Sequence, residues 1–378
     1  MQRHGLLLAI LLVAVGAARA QWQMEDSHTT ADLRGIDNVG AGVAWASGTN
    51  GTVLRTEDGG YLWQACSIPP GAEHLDFRGV QAFDASTAIV MSSGKGDLSR
   101  LYKTTDGCQN WTLVLTNPDS DGFFDAVKFL GRQSGLVVGD QVQGIIPIFG
   151  SFDVGDSWHR WVYNRSLRPA KVRPRETLFA ASNSALVVPG TEGALAFVTG
   201  GEGGSRFFNF RLNDFFDQGG YEAFVVEPLA FTKGPTSGAF SINSGGAVKN
   251  APGLMVVGGD FMKPDQPSTA AFLPPRNGGC YGLMPQRRID AATPPHGFRS
   301  AVAYDSASKT WITVGPNGTD ISTDDGKNWR ALHPDPSLHE APDADRDWNA
   351  LSLPFAVGPH GRIGKLDSHA LDGPKNGK

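Results

Sequence analysis

Two octapeptides in this chain share the skeleton Ser-x-Asp-x-Gly-x-x-Trp: SFDVGDSW at Ser151 to Trp158 and STDDGKNW at Ser322 to Trp329. A carboxylate beside a hydroxyl can take a proton, attack an electrophile or bind a cation. The same pair can instead hold a tight turn, because both side chains bond to backbone amides. Two looser copies decide between these readings. TEDGGYLW carries Asp58 and Trp63, and TTDGCQNW carries Asp106 and Trp111, with Cys108 at the glycine position. A catalytic carboxylate is needed once, whereas this aspartate recurs in unit after unit. Ser151, Asp153, Gly155 and Trp158, with Ser322, Asp324, Gly326 and Trp329, are therefore read as scaffold. Glycine admits the positive φ of the turn, and tryptophan covers it with a large apolar surface.

A second set of polar residues lies elsewhere in the repeat. Aligning LRGIDNV, FRGVQAF, FDAVKFL, FRSAVAY and WNALSLP places Arg34, Arg78, Asp125, Arg299 and Asn349 at one equivalent position. The fourth and fifth unit starts, LFAASNS and FVVEPLA, show no clear polar counterpart. Arginine grips carboxylate or phosphate through a planar pair of donors, so a convergent ring of them would bind an anion. Each arginine pairing with a neighbouring carboxylate is the competing reading. Turns expected on the same face add Asn50, Lys95, Asp140, Glu192, Asp260, Asn317 and His360, the last equivalent to ordinary turn residues of other units. No zinc-protease helix motif, Cys-x-x-Cys pair, calcium loop or phosphate-cradling loop occurs, so no metal and no cofactor is expected.

These residues are positioned by β units. The first two box spacings are roughly 48 residues, the length of a four-stranded propeller blade. Between the boxes runs a second repeat of strand, Gly-x-x-Gly turn and strand, seen in WASGTNGTVLRT, LVVPGTEGALAFV, WITVGPNGTDIST and FAVGPHGRIGKL; such turns signal hairpins. Third strands centre near residues 53, 102, 148, 196, 271, 320 and 363. Seven units close into a ring that leaves no long free edge. The expectation is an all-β chain folding as a single seven-bladed β-propeller over 21–369. An insertion at about 201–250 is expected in blade 5, and 370–378 as a flexible tail. The last unit supplies three strands, so Gln21–Ala31 is expected to complete it.

Residues 1–20 combine a basic start, an apolar run from Gly5 to Gly16 and Ala18-Arg19-Ala20, the pattern of a cleaved export signal. That predicts a secreted or periplasmic monomer without a membrane span. A net charge of −5 argues against nucleic acid as partner. Of three cysteines, Cys66 and Cys108 are placed to meet between neighbouring repeats, although connectivity does not follow from sequence.

The octapeptide resembles the Asp box, or BNR repeat, of sialidases and other propellers. The run from strand-Gly-x-x-Gly-strand into TEDGGYLW, with KTTDGCQNW and VAYDSASKTWITVGPNGTDISTDDGKNW, is similar to exported relatives of the photosystem II stability/assembly factor. That resemblance implies a non-enzymatic protein binding a partner protein through arginines on one propeller face, here Arg34, Arg78 and Arg299. A sialidase-like glycoside hydrolase is the alternative, drawing on three arginines with Tyr221-Glu222 or Tyr304, although the Arg-Ile-Pro motif of that family is absent. A glycan-binding propeller using the Phe-rich stretch at Phe207 to Phe216 is the third.

Overall fold

The computed structural model describes residues 21–161, 172–189, 194–211, 225–248, 251–275, 288–338 and 340–371. Seven antiparallel sheets follow one another around a ring, and no α-helix occurs among these residues. The first three blades are regular. They comprise Leu33–Gly40, Val43–Gly48, Val53–Thr56 and Gln64–Ala65; Phe77–Ala82, Ala88–Ser92, Arg100–Thr104 and Thr112–Thr116; and Phe124–Leu130, Ser134–Gly139, Ile148–Ser151 and His159–Arg160. The sixth has the same plan, over Ala301–Asp305, Thr310–Gly315, Gly318–Ser322 and Arg330–Leu332.

The stretch 201–250, expected as an insertion, is blade structure wherever it is described. Arg206–Arg211 and Val225–Pro228 are the last strands of the fourth sheet, after Leu186–Val187 and Ala194–Val198. Ser237–Val248 opens the fifth, followed by Ala251–Asp260, Ala270–Leu273 and Ile289–Asp290. Val225–Pro228 is thus the close of the fourth blade, and the fifth begins near Ala239-Phe240-Ser241. No Asp box marks this boundary, so the repeat offers no signal there.

In the seventh sheet Ala350–Ser352, Phe355–Val357 and Ile363–Leu366 are joined by Trp22–Glu25, which pairs antiparallel with Ile363–Leu366. Trp22 packs on Trp348 with ring centroids 4.9 Å apart, and Leu33 donates its amide to Gly358 O at 3.0 Å across the closure. Seven apolar clusters fill the seven interfaces between blades. Trp45, Trp63, Trp311 and Trp348 lie fully buried in them. The core is therefore a ring of interfaces, each depending on the next.

The four octapeptides share one hydrogen-bond pattern. In Ser151–Trp158 the Ser151 hydroxyl donates to Asp153 Oδ1 at 2.8 Å and accepts the Gly155 amide at 2.9 Å; Asp153 Oδ1 accepts the Ser157 amide at 3.0 Å. Thr56/Asp58, Thr104/Asp106 and Ser322/Asp324 repeat it. The glycine position has positive φ throughout: Gly60 100°, Cys108 65°, Gly155 84° and Gly326 73°. Cys108 bears that conformation while bonded to Cys66, which ties the edge of the first blade to the second. Donation from the Ser157 side chain and amide holds Asp153 down to about 2, and donation from Asn110 does the same for Asp106. Asp58 and Asp324 are likewise held below the ordinary carboxylate range.

Two outcomes test this frame. Trp22→Ala removes the largest side chain of the closing strand and is expected to cost about 3–5 kcal/mol, read as a lowered urea midpoint; an unchanged midpoint would remove the closing strand from the stability account. Val154 sits at φ 62°, where a β-branched residue is strained. Val154→Gly is expected to raise stability by about 1 kcal/mol, measured by thermal unfolding, and a loss would contradict the turn assignment.

Candidate functional site

Strand register separates two faces. In the first blade Leu33 pairs with Gly48 and Ser47 with Val53, while Gly40 pairs with Val43 and Ala44 with Thr56. The starts of inner strands and the second-to-third turns therefore share one end, the mouth. The Asp boxes occupy the other end.

At the mouth the inner strands carry bulges. Register shifts fall between Leu33 and Gly35, Phe77 and Gly79, Phe124 and Ala126, and Ala239 and Ser241. The extra residues are Arg34, Arg78, Asp125 and Phe240. A bulge turns a side chain out of the sheet's alternation, which explains how one register position becomes a row at the rim. Arg34 Nε lies 3.2 Å from Asp76 Oδ1, and Arg78 Nε donates to Asp76 Oδ2 at 2.8 Å. Two guanidiniums thus share one carboxylate, both partly exposed. Arg78 Nη1 also reaches Ala180 O at 3.4 Å.

Asp125 is only 1% exposed, and its Oδ2 has no hydrogen-bond partner. Burial pushes this carboxyl well above its ordinary range and Asp140 adds to the rise, while Arg78 opposes both. Asp140 is itself raised by burial, although it accepts the Leu178 amide at 2.9 Å and the Thr177 hydroxyl. Beside the two arginines there is therefore a pair of carboxyls that resist ionisation.

Other expected members do not join this group. Arg299 is fully buried (0% exposed), and its guanidinium is enclosed by Asp320, Phe298 O, Asn317 and His296. It offers no accessible surface on the mouth. It fixes the sixth blade, and the ring of three arginines becomes a pair. Asn349 donates to Leu33 O at 2.8 Å and joins the last blade to the first. Asp260 accepts the Thr236 hydroxyl at 2.7 Å and the Met262 amide at 3.1 Å, holding a turn. His360, at φ 56°, donates its amide to Asp32 and borders a depression of about 550 Å³ with Glu25, Asp343 and Arg362, toward the outer strand of the seventh blade. Lys95 is paired with Asp121 on the surface. Glu192, Tyr221, Glu222, Cys280 and 1–20 lie outside the described residues.

Two features escaped the sequence reading. The segment 182–184 crosses the ring: Ser182 donates to Ser300 O at 2.7 Å in the sixth blade, while Asn183 donates to Val80 O at 3.1 Å and accepts the Val127 amide at 2.8 Å in the second and third. Gly79 leaves room for it, since a Cβ there would stand 2.9 Å from Asn183 Oδ1. The mouth is a floored basin, not an open tunnel. Phe240 occupies the bulge position of the fifth blade, and Phe179 stacks on it with centroids 3.8 Å apart. Phe179 lay within the quoted LFAASNS, but an aromatic there reads as core. No group of three or more His, Cys, Asp or Glu is placed to hold a metal among the described residues, and no helix among them is long and apolar enough to cross a membrane.

Residues 15–194 match the family model described as photosynthesis system II assembly factor YCF48. The photosystem II assembly lipoprotein Ycf48 of Synechococcus sp. (strain CC9902) is 24% identical over 169 residues, 40% of this chain and 46% of that protein. The chain thus spans about half the length of that curated relative. Among solved structures, Ycf48 bound to D1 peptide superposes with TM-score 0.57 at 17% identity, over 92% of this chain and 97% of that one. Ycf48 from Cyanidioschyzon merolae gives 0.58 at 19%, over 93% and 99%. A GH74 xyloglucanase from Xanthomonas campestris gives 0.58 at 14%, over 94% of this chain and 55% of its own. At these identities the solved structures establish the fold alone. Repeat and fold together define an Asp-box (BNR-repeat) seven-bladed β-propeller. Within that class, residues 15–194 are similar to the photosystem II assembly factor Ycf48.

Asp125 supplies a test with a definite sign. Below about pH 4 its carboxyl is neutral folded and unfolded; as pH rises the unfolded chain ionises first and folding loses free energy. Asp125→Asn is expected to stabilise by on the order of 1 kcal/mol at pH 7 and to be neutral near pH 3. Equal effects at both values, measured by denaturant unfolding, would contradict the buried-acid assignment.

Proposed function

We propose that this chain is an exported, non-catalytic propeller that holds a segment of a partner protein on its mouth face, in the manner of an assembly factor. The observation that carries the reading is the Arg34–Asp76–Arg78 group: two half-exposed guanidiniums against one carboxylate, on the face opposite the Asp boxes. Two guanidiniums against one carboxylate leave the group with positive charge for an acidic feature of a partner. Similarity to Ycf48, and a solved Ycf48 that carries a D1 peptide, support a polypeptide as the partner class.

Export draws support from the apolar run ending at Ala18-Arg19-Ala20, from the lipoprotein status of the Synechococcus relative, and from the Cys66–Cys108 disulfide, a bond that persists in oxidising compartments. The sialidase-like alternative needs three arginines on one substrate carboxylate. Arg299 is sealed, and Tyr304 lies beside Asp325 in the Asp box of the sixth blade, at the opposite end. The described residues do not assemble that constellation.

Affinity capture from the native envelope fraction tests the proposal, comparing the wild-type protein with Arg34→Gln/Arg78→Gln of matched stability. The double variant is expected to recover at least about tenfold less of the captured partner, with wild-type capture falling as salt rises. Equal recovery by both proteins would move the binding surface elsewhere.

A further inference from the structure

The mouth has a second half that the arginines do not explain. Phe240 takes the bulge position in blade five, where the first three blades carry Arg34, Arg78 and Asp125, and Phe179 stacks on it. Phe240 is buried against Phe298, with centroids 4.7 Å apart at 79°. Above this stack stands Phe261, edge-on to both rings at 6.5 Å and 6.1 Å. Phe261 is 43% exposed and the adjoining Met262 is 68% exposed. Both follow Ala251–Asp260, whose end pairs with the start of the inner strand at Ser237↔Asp260, so they lie on the mouth face. Their turn is pinned by Asp260 through Thr236 and the Met262 amide. Two large apolar side chains are thus presented to solvent by a rigid turn.

This apolar half adjoins the charged half directly. Arg78 Nη1 lies 3.4 Å from the carbonyl of Ala180, the residue after Phe179. Aromatic residues, Met and Arg are the types enriched at protein interfaces, and the energetically dominant residues there include aromatics and Arg. The floor formed by Ser182 to Ser184 prevents threading, so an occupant lies across the basin. An extended chain suits that shape, since it offers successive side chains every ~3.3 Å along its length.

We infer that the mouth reads a composite determinant, an extended peptide segment carrying a carboxylate next to a large apolar side chain, with Arg34 and Arg78 taking the carboxylate and Phe179, Phe261 and Met262 taking the apolar group. The inference rests on the mouth-binding reading above and specifies what that surface selects. The geometry of the charged half supports it, because two partly exposed guanidiniums share the single carboxylate of Asp76 and leave that group with positive charge for the peptide acid.

The test is selection of a phage-displayed random decapeptide library on the purified full chain, followed by affinity measurement with a synthetic copy of the dominant selected peptide. Selected sequences are expected to combine Asp or Glu with Leu, Ile, Phe or Met. Phe261→Ser/Met262→Ser, at exposed positions that leave the fold intact, is expected to weaken that peptide about tenfold with little change in salt dependence. Replacing the peptide's apolar residue by Ser is expected to give the same loss, and the two changes together no more than either alone. Arg34→Gln/Arg78→Gln is expected to weaken binding and flatten its salt dependence. If the arginine variant loses the peptide while the Phe261/Met262 variant keeps it, the inference fails and the mouth reading stands. If neither variant alters affinity, both fail. Selection of nothing above a blank support overturns the peptide as occupant, and with it the inference.

Discussion

Everything in this molecule depends on closing the ring. Each blade buries its apolar faces only against its neighbours, so the first and seventh blades each leave one face open until the seventh sheet meets the first. The four residues Trp22–Glu25 complete that seventh sheet on Ile363–Leu366, and Trp22 against Trp348 anchors the joint. Closing a loop that includes nearly the whole chain costs entropy that grows only slowly with length, so a short latch backed by one large apolar contact suffices. The closed ring sets the angular step between blades. That step brings arginines from two different strands, 44 residues apart in sequence, to the single carboxylate of Asp76.

The two faces divide the labour. On one, the Asp boxes bond hydroxyl, carboxylate and amide to one another, which leaves little donor or acceptor capacity for a ligand. On the other, bulges at the starts of four inner strands place Arg34, Arg78, Asp125 and Phe240 in one row, and the basin beneath is closed by a polar segment that ties blades two, three and six together. The crossing makes the floor rigid, and rigidity lowers the cost of ordering a surface when a partner docks.

Much of the fold was legible in the sequence because its repeats are local. Hydroxyl, Asp, Gly and Trp at fixed spacing report a turn without reference to distant contacts, and Gly-x-x-Gly between strands reports a hairpin. The count of seven, and the use of the N-terminal segment as the missing strand, follow from that local grammar. Where the grammar lapses the reading lapsed too. The boundary between the fourth and fifth blades carries no box, so Arg206–Arg211 and Val225–Pro228 passed for an insertion. The site was half legible. Register placed Arg34, Arg78 and Asp125 in one row, but the partners of an arginine come from other strands and turns. Arg299 has Asp320, Asn317 and His296 around it and is sealed, whereas Arg78 has one shared carboxylate and stays partly open. The same blindness hid Phe179 and Phe240, which look like core until the row of Phe240 is known.

The central claim is that a partner sits on the mouth and not on the Asp-box face. Hydrogen exchange of the full chain, alone and saturated with a bound partner segment, measures this most directly. The account predicts new protection at 76–80, 178–182 and 260–263, with the amides of the four boxes unchanged. Protection confined to the turns at 56–63, 104–111, 151–158 and 322–329 would contradict it.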